Sequence, residues 1–385
     1  MSLYFDHNAT TPLDPRVLEA MRPYLEGPYG NPSSLHRAGR AARDGIDAAR
    51  EQVAALVGAH PSEVIFTSGG TEADNLAIKG VAARRPGSIV IGAFEHPAVL
   101  EAARALADDG VEVVEVPVGP DGVIDMTALS AAVQGGKVSI ISVMMANNET
   151  GVVQPAQAVA ELAAHCGAVF HTDAVQAAGK LPLSFADSGA GLMSLSSHKL
   201  YGPKGVGALL VRRGVPLTAQ MHGGGHEDGL RSGTENVAAI VGFGEAARLA
   251  AEELAERQSR LGALRARLEQ GLAEIPGLQV FAQGSERLCN TTQFSLPGYD
   301  GETLLMALDR QGIAVSSGSA CSSGKGEPSH VLLAMGIERA LASGAVRVSL
   351  GRDNQEADID RLLAVLTDLA GGSLGAIPNL GAMQS

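Results

Sequence analysis

The sequence predicts an α/β protein: a mostly parallel sheet covered by helices, followed by a smaller α/β region. Three observations predict it. From residue 64 onward, short β-branched runs recur at 64–67, 88–91, 111–116, 138–144, 168–172, 191–195 and 206–211. Between most of them lie Ala- and Leu-rich stretches of helical composition, such as 71–83 and 155–166. Strand–helix–strand repetition makes successive strands parallel and lays helices on both faces of their sheet. After Asn236 the texture changes to a long Ala/Glu/Leu/Arg helix reaching about residue 273, then to a mixed region with strands near 278–282, 291–296 and 345–350. A chain of 385 residues exceeds the size that one core usually supports, so two domains are expected.

Composition narrows the function. Hydrophobic residues are 45% and charged residues 18%, and the longest apolar run, 140–146 with Ser142 inside it, is too short to cross a bilayer. Residues 1–7 lack the basic start, apolar stretch and small-residue cleavage site of a signal peptide, which predicts a cytoplasmic protein. A net charge of −13 argues against a nucleic-acid or membrane surface and leaves a small molecule or another protein as partner. Cys166, Cys289 and Cys321 are unevenly spaced and form no C-x-x-C, so neither a disulfide framework nor a self-contained metal site is expected. His222 and His226 stand at i and i+4, but three glycines between them predict a loop rather than a zinc-binding helix.

In a parallel sheet ligands sit beyond the carboxyl ends of the strands, and polar clusters fall there. The 191–195 strand runs into Ser196-Ser197-His198-Lys199-Leu200-Tyr201-Gly202-Pro203-Lys204-Gly205. A lysine at such a strand end can form a Schiff base with an aldehyde cofactor, of which pyridoxal phosphate is the natural one; alternatively Lys199 and Lys204 are surface charges on a turn. Thr67-Ser68-Gly69-Gly70-Thr71-Glu72 reads equally as a phosphate cradle or as a helix-capping sequence. In His171-Thr172-Asp173-Ala174-Val175-Gln176, Asp173 either pairs with a protonated pyridine nitrogen or caps a helix, and Gln176, one helical turn on, can reach the same ligand. Glu95-His96-Pro97 offers an imidazole expected to titrate near neutrality, and Asn147-Asn148 adds neutral donors. Each signal alone is ordinary; four at four strand ends with Lys199 are not.

Cys321 lies in Ser316-Ser317-Gly318-Ser319-Ala320-Cys321-Ser322-Ser323-Gly324, a Ser/Gly setting that predicts an exposed, mobile loop carrying a thiol. A soluble protein has little structural use for a thiol there, whereas Cys166 and Cys289 read as packing residues. In Ala345-Val346-Arg347-Val348-Ser349-Leu350, strand alternation separates Arg347 and Ser349 from the apolar residues, so Arg347 is either an exposed charge or a bidentate clamp for a carboxylate.

Together with Tyr4-Phe5-Asp6-His7-Asn8-Ala9-Thr10-Thr11-Pro12, Gly30-Asn31-Pro32-Ser33-Ser34-Leu35-His36 and Glu327-Pro328-Ser329-His330, these motifs resemble the cysteine desulfurases of the NifS/IscS type, in the class V, fold-type I group of pyridoxal phosphate enzymes. The resemblance covers nearly the whole chain. It implies a seven-stranded, mostly parallel sheet in a large cofactor-binding domain of residues 15–254. A small domain, formed by 1–14 and 255–385, would carry the cysteine loop at about 316–327.

The resemblance also implies roles. Lys199 would hold the cofactor, Asp173 its ring nitrogen and Gln176 its phenolic oxygen, with Asn148 also binding it and His96 stacked on the ring to relay protons. Gly70, Thr71, Ser196 and His198 would bind the phosphate, joined by Thr234 from the second subunit of a homodimer. Asn31, Asn148 and Arg347 would hold the carboxylate of L-cysteine, and Cys321 would take its sulfur and pass it to an acceptor protein such as an iron–sulfur scaffold. No metal is implied. Asp228 departs from the pattern, standing where a basic residue is expected, and 322–326 differ in detail. Another class V enzyme, an aminotransferase or selenocysteine lyase, is the nearest alternative, and a silent sulfur scaffold a more distant one.

Overall fold

A computed structural model of the chain describes residues 3–27, 29–317 and 327–372. Its main sheet has seven strands in the order Val64–Thr67, Gly207–Val211, Leu192–Ser196, Val169–Asp173, Val138–Ser142, Ser88–Gly92, Val113–Val116. Five of these pair in parallel and only Gly207–Val211 runs against its neighbours on both sides. Val64–Thr67, antiparallel to that strand, therefore points the same way as the parallel set. The central strands are buried along their whole length, which is why they read as continuous apolar runs rather than alternating ones.

Several boundaries differ from expectation. The strand expected at 138–144 ends at Ser142, because beyond it the chain turns over the sheet edge, with Met144 N donating to Glu95 Oε1 at 2.6 Å and Met145 N to Asp173 O at 2.8 Å. The long helix expected to reach residue 273 is two helices, Val237–Glu252 and Leu254–Ala273, broken at Glu253 (φ −96°, ψ 3°). Each half serves a different core. Ile240, Phe243 and Leu249 pack into the core of the main sheet, whereas Leu261, Leu264, Leu268 and Leu272 pack into a second core.

That second core is completed by a four-stranded antiparallel sheet ordered Ser316–Ser317, Ala345–Ser349, Thr291–Ser295, Gln279–Val280. The N-terminus belongs to it: Leu3–Tyr4 pairs in parallel with Ile313–Ala314, and Phe5 is wholly buried in the second core. From there residues 7–14 cross to the main sheet, where Thr11 N donates to His198 O and Asp14 N to Tyr201 O. Residues 6–10 are thereby held between the two cores, over the carboxyl ends of the parallel strands.

Candidate functional site

Because the strands Ser88–Gly92, Val138–Ser142, Val169–Asp173 and Leu192–Ser196 are parallel neighbours, their carboxyl ends share one edge. At that edge lies a cavity of about 310 Å³. His96, Asn148, Asp173, Gln176, Ser196, His198 and Lys199 all line it. The second core contributes Arg347, and the helix that follows Val64–Thr67 contributes Gly70 and Thr71. Asn31 and Thr234 do not line this cavity; both are exposed, and Asn31 Oδ1 accepts from Ser33 N at 2.9 Å in its own turn. Cys321 lies outside the described residues. The segments on either side of it reach the site: Ser316 pairs with Arg347 across the strands, Ser329 Oγ donates to Glu149 Oε2 at 2.5 Å, and His330 Nε2 bonds Glu95 O at 2.9 Å.

Lys199 ends a short 3₁₀ turn, Ser197–Lys199, that prolongs its strand. Its Nζ donates to Asn8 O at 2.6 Å and Ala9 O at 2.7 Å, so the crossing N-terminal segment holds the amine in the cavity. Asp173 is buried at the end of its strand, with Oδ1 accepting from Val175 N at 2.8 Å. It caps a turn rather than a helix, so Gln176 follows it on a loop and not one helical turn along. Burial pushes the Asp173 carboxyl up to about 6, against the pull of the Val175 N–H and Lys199.

His96 caps the helix Pro97–Asp108, Nδ1 accepting from Ala98 N at 3.1 Å. The expectation of a near-neutral imidazole is corrected here. Burial, with Lys199 and His330 nearby, lowers His96 to about 4, so it is a neutral ring whose Nε2 carries the hydrogen. His198 is lowered to about 4 likewise, by burial and then by Lys199 and Lys204, and its Nδ1 bonds Thr10 Oγ1 at 3.1 Å.

Arg347 is buried, not an exposed charge. Nη2 donates to Asp6 Oδ1 at 2.7 Å and Nη1 to Asn148 O at 2.9 Å, while Nε is buried without a partner. Arg347 lines the cavity, which sets its guanidinium where a carboxylate could be met. Asp228 is exposed in a tight turn at φ 53°, beside the buried Glu227, which pairs with Arg50. His222 and His226 lie on a loop, as expected.

The sequence reading assigned no part to Asp6, Asn8, Asp74 or Lys180. Asn8 is a junction: its amide N donates to Ser349 Oγ, Nδ2 donates to Thr291 Oγ1 and Asn148 O, and its carbonyl accepts from Lys199 and Gln176. Asp74 is fully buried 3.6 Å from His171 Nε2, and burial, with Asp173 close by, holds it well above the usual carboxylate range. It had a legible signal: an acid on the apolar face of its helix, beside Ala73, Ala77 and Ile78.

The donor set fits pyridoxal phosphate. The helix Gly70–Ala82 begins with no side-chain cap, so its first amides are open to an anion beside Ser196 and His198. A Cβ at Gly70 would come within 2.9 Å of Val175 Cγ2, so the close approach of backbone at this point depends on glycine. A buried carboxylate, a side-chain amide and an amine surround the space a pyridine ring needs.

Comparison with known proteins agrees with this geometry. The model of the class-V aminotransferase family matches residues 3–362. A cysteine desulfurase of Cereibacter sphaeroides is 47% identical, covering 99% of this chain and 99% of that protein. An IscS-like cysteine desulfurase of Mycobacterium tuberculosis is 47% identical over 94% of this chain and 95% of that one. Among solved structures, a NifS-like protein superposes with a TM-score of 0.89 at 39% identity, covering 96% of this chain and all of that one, 100%. The chain therefore belongs to the class-V aminotransferase family, among its pyridoxal-phosphate-dependent cysteine desulfurases of the NifS/IscS type.

Proposed function

We propose that the chain removes sulfur from L-cysteine, releases L-alanine and leaves the sulfur on Cys321 for an acceptor protein. Pyridoxal phosphate supplies an electron-withdrawing ring and an aldehyde carbon that an amine can bond. Lys199 anchors it and is the base that takes the substrate α-proton at Nζ. Asp173 holds the ring-nitrogen proton, Gln176 donates from Nε2 to the phenolic oxygen, and His96 covers the ring with Nε2 as its proton-carrying atom. Gly70, Thr71, Ser196 and His198 bind the phosphate.

Asn148 and Arg347 hold the substrate carboxylate. Thiolate Cys321 attacks the substrate sulfur: the S–S bond forms as the Cβ–S bond breaks, and the electron pair left on carbon is protonated. The anchors of Ser316, Ser329 and His330 around the cavity support this role, since they tie both flanks of the Cys321 segment to the site.

The working unit is a homodimer in which Thr234 reaches the phosphate of the other copy and Asn31 completes the substrate site. Their exposure outside this chain's own cavity supports that arrangement, as does the apolar surface at Tyr29 and Leu35, 100% and 88% exposed. Residues 15–254 form the large domain and 1–14 with 255–385 the small one, a division supported by the change of core at Glu253. The acceptor is a protein such as an iron–sulfur scaffold, and the site of action is the cytoplasm. Among the described residues no helix is long and apolar enough to cross a membrane.

The observation that carries this reading is the meeting of Lys199, Asp173, Gln176, His96 and Arg347 around one cavity. The test is alanine release from L-cysteine with a reductant present. Cys321→Ala should lose turnover; if it keeps the rate of the unaltered protein, the chain is an aminotransferase or a lyase that needs no thiol.

A further inference from the structure

A side-chain amide has a donor end and an acceptor end of nearly the same shape, and only the N–H end of Gln176 can serve a phenolic oxygen. Gln176 is buried, with Nε2 donating to Asn8 O at 2.9 Å and Oε1 accepting from Lys180 Nζ at 2.8 Å. Lys180 also reaches Asn8 Oδ1 at 3.4 Å, and that oxygen is fixed from the other side by Asn290 Nδ2 at 3.0 Å. An ammonium group has three donors and no acceptor. A flipped Gln176 would set Nε2 against it, donor to donor, and would strand Oε1 beside the Asn8 carbonyl.

We propose that Lys180 is a positioning residue that locks the Gln176 amide with its N–H end toward the cavity, and through it sets the basicity of the cofactor's phenolic oxygen. The inference rests on the reading of Gln176 given above and goes one residue further out. Lys180 stands where a lysine is poorly placed: burial lowers it to about 7, Lys199 and Arg347 push the same way and Cys289 opposes them, so the donor-only ammonium prevails below pH 7. Lys180 keeps its amine there by bonding Gln176 and Asn8, while also lining a small cavity of about 20 Å³.

The test is the pH midpoint of the colour change of the bound cofactor, read by absorbance without substrate. Gln176→Ala should raise the midpoint by about one pH unit, a tenfold change in proton affinity, because a phenolic oxygen that loses a donor holds its proton more tightly. Lys180→Met should raise it by a similar amount, and the double variant should add little to either single one. Lys180→Arg, which keeps a cationic donor, should restore a midpoint near that of the unaltered protein. Lys180→Gln is a bond shorter and out of reach of Gln176, and it serves the same cycle should the methionine variant not accumulate.

A merely structural role for Lys180 would give shifts that add. Additive shifts, or a shift in Gln176→Ala with none in the Lys180 variants, overturn the role of Lys180 alone. No shift in Gln176→Ala overturns the reading of Gln176 and this proposal with it.

Discussion

Replacing Arg347 with lysine keeps the charge and removes the fork. In the structure the guanidinium is already held on two sides, by Asp6 Oδ1 at 2.7 Å and Asn148 O at 2.9 Å, and its buried Nε has no partner. A substrate carboxylate would be met by the planar guanidinium as a fork, a bidentate contact that an ammonium cannot reproduce. Lysine at 347 would have one nitrogen to share among Asp6, Asn148 and the substrate. Losing one charge-assisted hydrogen bond costs about 1.5–3 kcal/mol, so kcat/KM for L-cysteine should fall by about ten- to 150-fold. Most of the loss should appear in KM, because the carboxylate contact is made alike before and during reaction. The assay is the initial rate of alanine formation against L-cysteine concentration, with cofactor content matched by absorbance. A value of kcat/KM within about threefold of the unaltered protein, well inside the loss expected for one such bond, would refute the clamp.

Lys199→Ala should bind cofactor without the colour that a bond to lysine gives and should release no alanine, as measured by absorbance and amino-acid analysis. Asp173 has its carboxyl raised to about 6 in the folded chain, above its ordinary value of 3.8, so its contribution to stability is present below pH 4 and lost as pH rises through 6. Asp173→Asn should therefore raise the thermal midpoint of cofactor-free protein at pH 7.5, by on the order of 2 °C, and not at pH 4, while weakening cofactor retention. Gly70→Ala places a Cβ 2.9 Å from Val175 Cγ2; cofactor dissociation measured by dialysis should be about tenfold faster with little change in unfolding temperature.

The strand-end residues were legible because a parallel sheet collects the ends of distant segments on one edge, so Asp173, Ser196, Lys199 and His96 announce their meeting by position alone. What could not be read is what arrives from elsewhere. Asp6 and Asn8 act through partners at Arg347, Ser349 and Thr291, some 280–340 positions away. No local pattern encodes those contacts. The neutral state of His96 depends on burial and then on the nearby charges of Lys199 and His330, which a sequence does not display. The break at Glu253 falls in Ala-Ala-Glu-Glu-Leu-Ala-Glu, with no glycine or proline to mark it; its cause is that two cores claim the two halves, while Glu253 itself pairs with Arg16 and Arg257. Nothing around Lys180 in the sequence marks it, and only the fold sets its amine against Gln176.

The most direct test of the account is to incubate the holoenzyme with L-cysteine, without reductant, and locate added sulfur by peptide mass spectrometry while measuring alanine in the same sample. One extra sulfur on the peptide containing Cys321, appearing with alanine, is the expected result. Alanine formed with no sulfur at Cys321, or with sulfur on Cys166 or Cys289 instead, would contradict it.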